Sequence, residues 1–106
     1  MNGLDDPADF TFELEADGRL VRRQLARRLW EHRGWATGLY HYQELDPATE
    51  AWRPARAALI RFRKVGGGWR KHAAINLPAA VAAAVGPTLT GWFPDADPAD
   101  DDHPLD

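Results

Sequence analysis

The segment ARAALIRFRKVGGGWRKHAAINLP, residues 55–78, decides the fold of this chain. Two runs rich in β-forming residues stand on either side of a glycine-rich gap, Val65-Gly66-Gly67-Gly68. In the second run, one set of alternate positions holds most of the apolar residues, which is typical of a half-buried strand. That set is Trp69, Lys71, Ala73, Ile75 and Leu77. Two such runs around a glycine-rich gap predict a β-hairpin.

The alternation also predicts which face of the hairpin is basic. In the first run Ala58, Ile60 and Phe62 share one face, and we expect that face to meet the core. The opposite face then carries the basic residues Arg61, Arg63, Arg70 and His72, with Lys64 and Lys71 beside the turn. A basic ribbon with a flexible glycine tip is a suitable grip for a polyanion.

Length and composition point to one small domain. A chain of 106 residues is long enough to bury a core, and because it has no cysteine, disulfides and thiolate metal sites are excluded. Residues 1–9 are acidic and polar, unlike a signal peptide, and no apolar run approaches the ~18 residues of a membrane span. We therefore expect a cytoplasmic protein without membrane contact. It would have a disordered acidic N-terminus at 1–9, one domain at 10–93 and a disordered acidic tail at 94–106.

The formal net charge of −3 hides a segregation of charge along the chain. All 13 lysines and arginines lie between Arg19 and Lys71, whereas nine of the 16 acidic residues lie near the two ends. The body from Phe10 to Trp92 retains seven acidic residues and carries a net charge of +6. A basic body with acidic tails fits a nucleic-acid-binding protein. It fits a domain whose charges only keep it in solution nearly as well.

The stretch before the hairpin segment begins with a short strand. Phe10, Phe12 and Leu14 alternate with polar residues and predict this strand, which ends before Asp17-Gly18. Asp17-Gly18 allows two interpretations. It is a favoured two-residue hairpin turn, which would make residues 19–23 a returning strand, and Asp17 is equally a good N-cap for a helix.

We favour the helix for residues 18–33. Val21, Leu25 and Leu29 form an i, i+4 ridge of the kind that an amphipathic helix buries. Gly34 fits the position just after the helix end. A strand would place these three apolar residues on the same face as two arginines, a poor pattern for burial. The expectation is a cationic amphipathic helix.

Two further elements complete the predicted fold. Residues 38–45 alternate as a strand, with Tyr40 and Tyr42 on one face and Leu39 and His41 on the other. An Ala-rich segment after Asn76-Pro78 predicts a short helix. The sequence thus predicts an α+β fold. It consists of a small antiparallel sheet of about four strands, the cationic helix near 18–33 and a short C-terminal helix near 78–90.

No motif in the sequence points to catalysis, a metal or a cofactor. The four histidines lack a supporting carboxylate pattern, and the three consecutive glycines lack the spacing of a phosphate-binding loop. The glutamates show no pairing suited to acid–base chemistry. We therefore predict a protein that is not an enzyme and needs no cofactor.

Aromatic residues beside basic ones favour nucleic-acid binding. Five tryptophans are many for this length, and four of them lie within two residues of an arginine. Such platforms hold single strands, because bases stack on the rings while cations hold phosphates. We expect Trp30, Trp35 and Trp92 to be packed. The predicted contacts are Arg61, Arg63, Lys64, Arg70 and Lys71, with Arg53, for phosphates, and Trp52 and Trp69 for bases.

The tail adds an independent indication. Its last residues, DADPADDDHPLD, carry an aspartate run at 100–102 followed by Pro104 and Leu105. This segment resembles the acidic tip of bacterial single-stranded-DNA-binding proteins. His103 stands where that tip has an apolar residue, Leu105 replaces its final aromatic, and Asp106 extends beyond it. The resemblance implies that the tail modulates binding or docks a protein partner.

Residues 60–85, IRFRKVGGGWRKHAAINLPAAVAAAV, run as a strand, a turn, Trp with basic residues, a strand ending in Leu-Pro and a helix. This order is similar to the C-terminal half of the positive cofactor four family of transcriptional coactivators. The Lys-Lys-Gly that precedes the last strand in that family is absent here. The resemblance implies a curved antiparallel sheet, a homodimer and binding of single-stranded DNA.

The sequence therefore predicts a non-enzymatic nucleic-acid-binding accessory protein that prefers single-stranded DNA or RNA. The alternative is a protein–protein interaction or assembly module, in which the aromatic residues bury against a partner. An ionic-strength series with labelled oligonucleotides separates the two, because phosphate contacts make binding steeply salt-dependent.

Overall fold

Five strands follow one another in sheet order and in chain order, each antiparallel to the next. The computed structural model describes residues 3–96, in which this sheet curls into a half-barrel beside one α-helix. The elements are β1 (Leu14–Ala16), β2 (Arg19–His32), β3 (Trp35–Glu44), β4 (Arg56–Val65), β5 (Gly68–Pro78) and α1 (Ala79–Trp92). The protein is mostly sheet with one helix, which is compatible with the predicted α+β class. The β4–β5 hairpin is confirmed, and the sheet has five strands rather than about four.

The cationic helix expected near 18–33 is wrong, because residues 19–32 form the long strand β2. Asp17 and Gly18 both have positive φ, as the hairpin turn requires, so the alternative interpretation of this pair is the correct one. Arg33 and Gly34 turn the chain in the same way between β2 and β3. Gly34 is therefore a turn residue, not the residue after a helix end.

A β-bulge explains why β2 lacks the alternation of a strand. Gln24 pairs with Tyr42 and Ala26 pairs with His41, so Leu25 is an extra residue with no partner opposite. The bulge reverses the alternation at Leu25, whose side chain is 45% exposed. The i, i+4 ridge therefore reflects an interruption of a strand, not the face of a helix.

The core lies on one side of the sheet, which we call the inner face. Tyr40, Ile60 and Phe62 are fully buried there, as the alternation of β3 and β4 predicts. Residues 4–12 cross this side, and the rings of Phe10 and Phe12 pack against Tyr40 at centroid distances of 5.5 Å. The inner face is thus filled by the chain's own N-terminal segment.

That segment differs from the disorder expected for residues 1–9. Leu4 exchanges two backbone hydrogen bonds with Trp69, at 2.7 and 2.6 Å. A short 3-10 turn, Pro7–Asp9, follows, in which Pro7 is buried. Arg27 fixes the turn by donating a 2.7 Å hydrogen bond to the carbonyl oxygen of Ala8. Residues 97–106, which include most of the acidic tail, lie outside the described part of the chain.

A second bulge changes the alternation of β5. Phe62 pairs with Lys71 and Arg61 pairs with Ala73, so His72 is the extra residue. Because paired residues share a face, Trp69 and Lys71 lie on the inner face. Ile75 and Leu77 lie on the opposite, outer face. The sequence placed all four on one face, since strict alternation takes no account of a bulge.

The C-terminal helix α1 runs through Gly86-Pro87 to Trp92, slightly beyond the expected 78–90. Thr88 and Thr90 donate side-chain hydrogen bonds to the carbonyl oxygens of Ala84 and Gly86, in the turns around Pro87. No residue of α1 is buried. Within residues 3–96 no helix combines the length and apolar character needed to cross a membrane.

Replacing Tyr40 with Phe is expected to leave stability at neutral pH unchanged or slightly higher. The Tyr40 hydroxyl is buried and has no hydrogen-bond partner, so its removal relieves an unsatisfied polar group. Burial raises the pKa of this hydroxyl above its ordinary value of 10.0, an effect that the nearby Arg27 cation opposes. The folded state therefore disfavours the phenolate, and wild-type stability falls as pH rises through that raised pKa. Urea titrations at pH 7 and above pH 10 should show the variant losing less stability than the wild type. An equal loss would contradict this expectation.

Candidate nucleic-acid interface

The strand register brings basic and aromatic residues into adjacent rows on the outer face. Trp35 pairs with Arg63, and Arg63 pairs with Arg70, so one row crosses β3, β4 and β5. Neighbouring strands lie about 4.8 Å apart, so this row is roughly 10 Å long. In the next row Arg61 pairs with Thr37. These positions lie at the end of the sheet that carries the β2–β3 and β4–β5 turns.

The side chains of these rows contact one another. The guanidinium carbon of Arg61 lies 4.6 Å from the centre of the Trp35 ring, and that of Arg63 lies 4.7 Å from it. The His72 ring meets Trp35 edge-on, with centroids 5.1 Å apart. We call Trp35, Arg61, Arg63, Arg70 and His72 the Arg–Trp cluster. Cation–π contact of this kind holds a guanidinium group in place without neutralising its charge.

No carboxylate among the described residues forms a salt bridge with the cluster. Within residues 3–96 the salt bridges are Arg19–Glu50 and Arg53–Asp46, both at 3.8 Å. Arg61 is the more unusual member, because its Nε and Nη2 atoms are shielded from solvent without a hydrogen-bond partner. A shielded cation without an anionic partner is costly, and an incoming phosphate or carboxylate would offset that cost.

A second indole lies beside the cluster. Trp30 is half-buried on β2 and pairs with Thr37, in the same row as Arg61. The guanidinium carbon of Arg28 lies 5.6 Å from the centre of the Trp30 ring. The outer face therefore carries two indole rings within about two strand spacings of three arginines, an arrangement able to hold both phosphates and bases.

Three of the residues predicted to contact nucleic acid lie on the inner face instead. Trp69 is 5% exposed beneath the N-terminal segment, so its ring is closed to stacking in this structure. Lys64 pairs with Trp69, and its ammonium lies 5.9 Å from the centre of that ring. Lys71 lies 5.8 Å from the Phe10 ring. The hairpin's cations are thus divided between two faces, with only the arginines on the outer one.

Trp52 and Arg53 lie at the other end of the sheet. Trp52 is half-buried, with the guanidinium carbon of Arg23 at 4.2 Å from the centre of its ring. Arg23 pairs with Gln43, eight residues along β3 from Trp35, a distance of about 27 Å. Arg53 is exposed and salt-bridged to Asp46. Trp52 and Arg53 are therefore not brought together with the cluster.

Sequence reasoning missed the aromatic centre of the cluster. The sequence predicts that Trp35 is packed, and only the β2–β3 turn reveals that it begins a strand opposite Arg63. Arg33 and Gly34 both have positive φ in this turn. In the sequence, the glycine at position 34 is the signal that could have indicated a hairpin turn here. Trp92, expected to be packed, is 68% exposed.

Comparisons with protein-family models, with curated proteins and with solved structures find no match to this chain.

Proposed function

We propose that this protein binds single-stranded nucleic acid through the Arg–Trp cluster on the outer face of its sheet. One observation carries the proposal. Arg61 and Arg63 lie over the Trp35 ring, Arg70 lies in the neighbouring position, and no carboxylate of residues 3–96 neutralises them. Arg63 and Arg70 are exposed and have no acidic partner among these residues, so their guanidinium groups are available to phosphate oxygens. Two nitrogen atoms of Arg61 are shielded, which leaves its Nη1 for such a contact.

A single strand suits this surface better than a duplex. The sheet presents planar groups, the Trp35 indole and the guanidinium planes over it, on which unpaired bases stack. The helix α1 on this face is not suited to reading base edges in a groove, since it has no charged residue, Asn or Gln. The resemblance of residues 60–85 to the positive cofactor four family favours the same ligand class.

The test is a fluorescence anisotropy titration of a labelled single-stranded oligonucleotide at several salt concentrations. Three phosphate contacts, from Arg61, Arg63 and Arg70, give an expected log–log slope of about −2 for a single strand. A slope nearer −4 would indicate about six contacts and would bring Lys64 and Lys71 back into the site. A duplex of the same sequence should bind more weakly. Absence of binding at low salt would overturn the proposal.

The alternative, a protein interaction or assembly module, is favoured by the exposed apolar surface of α1. No binding of oligonucleotides together with a stable oligomer would support that alternative. The acidic tail at 94–106 remains a predicted competitor for the cluster or a docking segment for a protein partner. If it competes, removing residues 94–106 should tighten oligonucleotide binding, since the tail's negative charge then no longer occupies the cations.

A further inference from the structure

The helix α1 has an unusual surface for an exposed element. Its 14 residues, Ala79–Trp92, include no charged side chain, and none of them is buried. Val81 and Leu89 are each 45% exposed, Trp92 is 68% exposed, and Phe93 at the helix end is 60% exposed. A helix that is apolar all round is normally enclosed by other parts of a protein. Here only one side of α1 faces the sheet.

The exposed apolar area is large for a chain of this size. Large apolar side chains bury roughly 150–250 Å² each, so the open fractions of these four residues and of Ile75, 55% exposed on β5, total on the order of 500 Å². Contiguous apolar patches above a few hundred Å² mark interaction sites. Adding the small side chains of α1 brings the area towards the about 800 Å² that each partner contributes to a standard protein interface.

We infer that a second copy of this chain covers α1, with the two helices meeting across a two-fold axis. Such a contact places the same patch on both partners, so a charge close to the axis would face its own copy. The surface of α1 avoids that repulsion, because it has no charge at all. A nucleic acid would need cations on this helix, and a membrane surface would need a basic polar face, and α1 has neither.

The surface around α1 has both a projecting side chain, Trp92, and a groove large enough to receive one. A groove of about 490 Å³ separates α1 from the outer face. Its lining is mostly apolar and includes Leu39, Leu59, Leu77, Val85 and Leu89, and Arg27, Arg28 and His41 also line it. Trp92 projects one turn beyond Leu89. A two-fold axis across α1 brings the Trp92 of each copy towards the groove of the other. An exposed tryptophan that enters an apolar groove is a typical anchor of an interface.

The mass of the full chain in solution tests the inference directly. Sedimentation equilibrium over a concentration series should give twice the chain mass of 11.9 kDa. Leu89→Glu and Trp92→Glu should each shift the protein to the monomer mass. Leu14→Glu is the matched control, because Leu14 is 50% exposed on the far edge strand β1, and this variant should remain a dimer. Far-ultraviolet circular dichroism establishes that each variant keeps its sheet.

Cross-linking gives a second readout that does not depend on a destabilising change. Since the chain has no cysteine, a single introduced cysteine forms a disulfide only between two copies. Ala84→Cys, exposed at the middle of α1, should yield a covalent dimer under mild oxidation, and Leu14→Cys should not. A monomeric wild type would overturn the inference. So would a dimer that survives Leu89→Glu and Trp92→Glu, which would place the interface on another surface such as the edge of β5.

Discussion

The double variant Arg63→Ala/Arg70→Ala is expected to bind a single-stranded oligonucleotide at least about a hundredfold more weakly than the wild type at low salt. Hydrogen bonds to charged groups contribute roughly 1.5–3 kcal/mol each, and about 1.4 kcal/mol is a tenfold change in affinity. Both side chains lie on the outer face in one row with Trp35. Removing two of three phosphate contacts should also flatten the salt slope from about −2 to about −0.7.

A matched control variant shows whether binding weakens because phosphate contacts are lost or because the net positive charge is lower. Arg19→Ala/Arg53→Ala also removes two positive charges, but away from the Arg–Trp cluster. Arg19 lies at the start of β2, the end far from the β2–β3 turn, and Arg53 lies in the loop after β3. We expect this control to bind within about threefold of the wild type, because exposed charges more than a Debye length of about 10 Å away are largely screened. Equal losses in the two double variants would show that the cluster is not the binding site.

The variant Gly38→Ala is expected to lose about 1–2 kcal/mol of folding free energy. A methyl group at Gly38 would lie 2.6 Å from Cε2 and 2.7 Å from Cζ of Tyr40, far inside contact distance. The Tyr40 ring is fully buried, stacked on Phe12 and held edge-on by Phe10, so it has no free space to move into. Overpacking of this kind costs about 1–3 kcal/mol, which exceeds the about 0.5–1 kcal/mol gained by reducing backbone freedom.

Urea denaturation of Gly38→Ala should therefore show a lower midpoint with an unchanged slope. Gly67→Ala is the control, because a methyl group there meets no atom within 4 Å, and its stability should change little. The cause is isolated by a double-mutant cycle with Tyr40→Ala. Once the ring is gone, Gly38→Ala should cost almost nothing. A full cost in the absence of the ring would refute the steric explanation.

The β3 and β4 part of the fold was predictable because alternation survives in these two strands. Ile60 and Phe62 are buried as their positions in β4 indicate, and Tyr40 and Tyr42 are buried likewise. The strand β2 was not predictable by the same reasoning. Its bulge at Leu25 breaks the period of two, and the spacing left behind imitates the period of a helix. Because of this single inserted residue, the pattern favoured a helix even though Asp17-Gly18 is a typical hairpin turn.

The candidate site was predictable only where it depends on one strand. Arg61 and Arg63 share the outer face because they alternate with buried residues within β4, which sequence shows directly. Trp35 joins them through pairing between strands, and register is not visible in a local pattern. Trp69 illustrates the opposite case. Its position beside arginines suggested exposure, but residues distant in sequence, around Leu4, cover it.

The bulge at His72 means that β5 follows two opposite rules of side-chain placement. Odd-numbered residues point inward up to Lys71 and outward from Ala73 onward. A chain lacking His72 would rotate Ile75 and Leu77 to the inner face, whereas Trp69 would keep its place. The number of residues in β5 therefore determines which of its side chains lie on the same face as α1. A change in that number would alter the packing of α1 on the sheet, while the aromatic core around Trp69 would be unchanged.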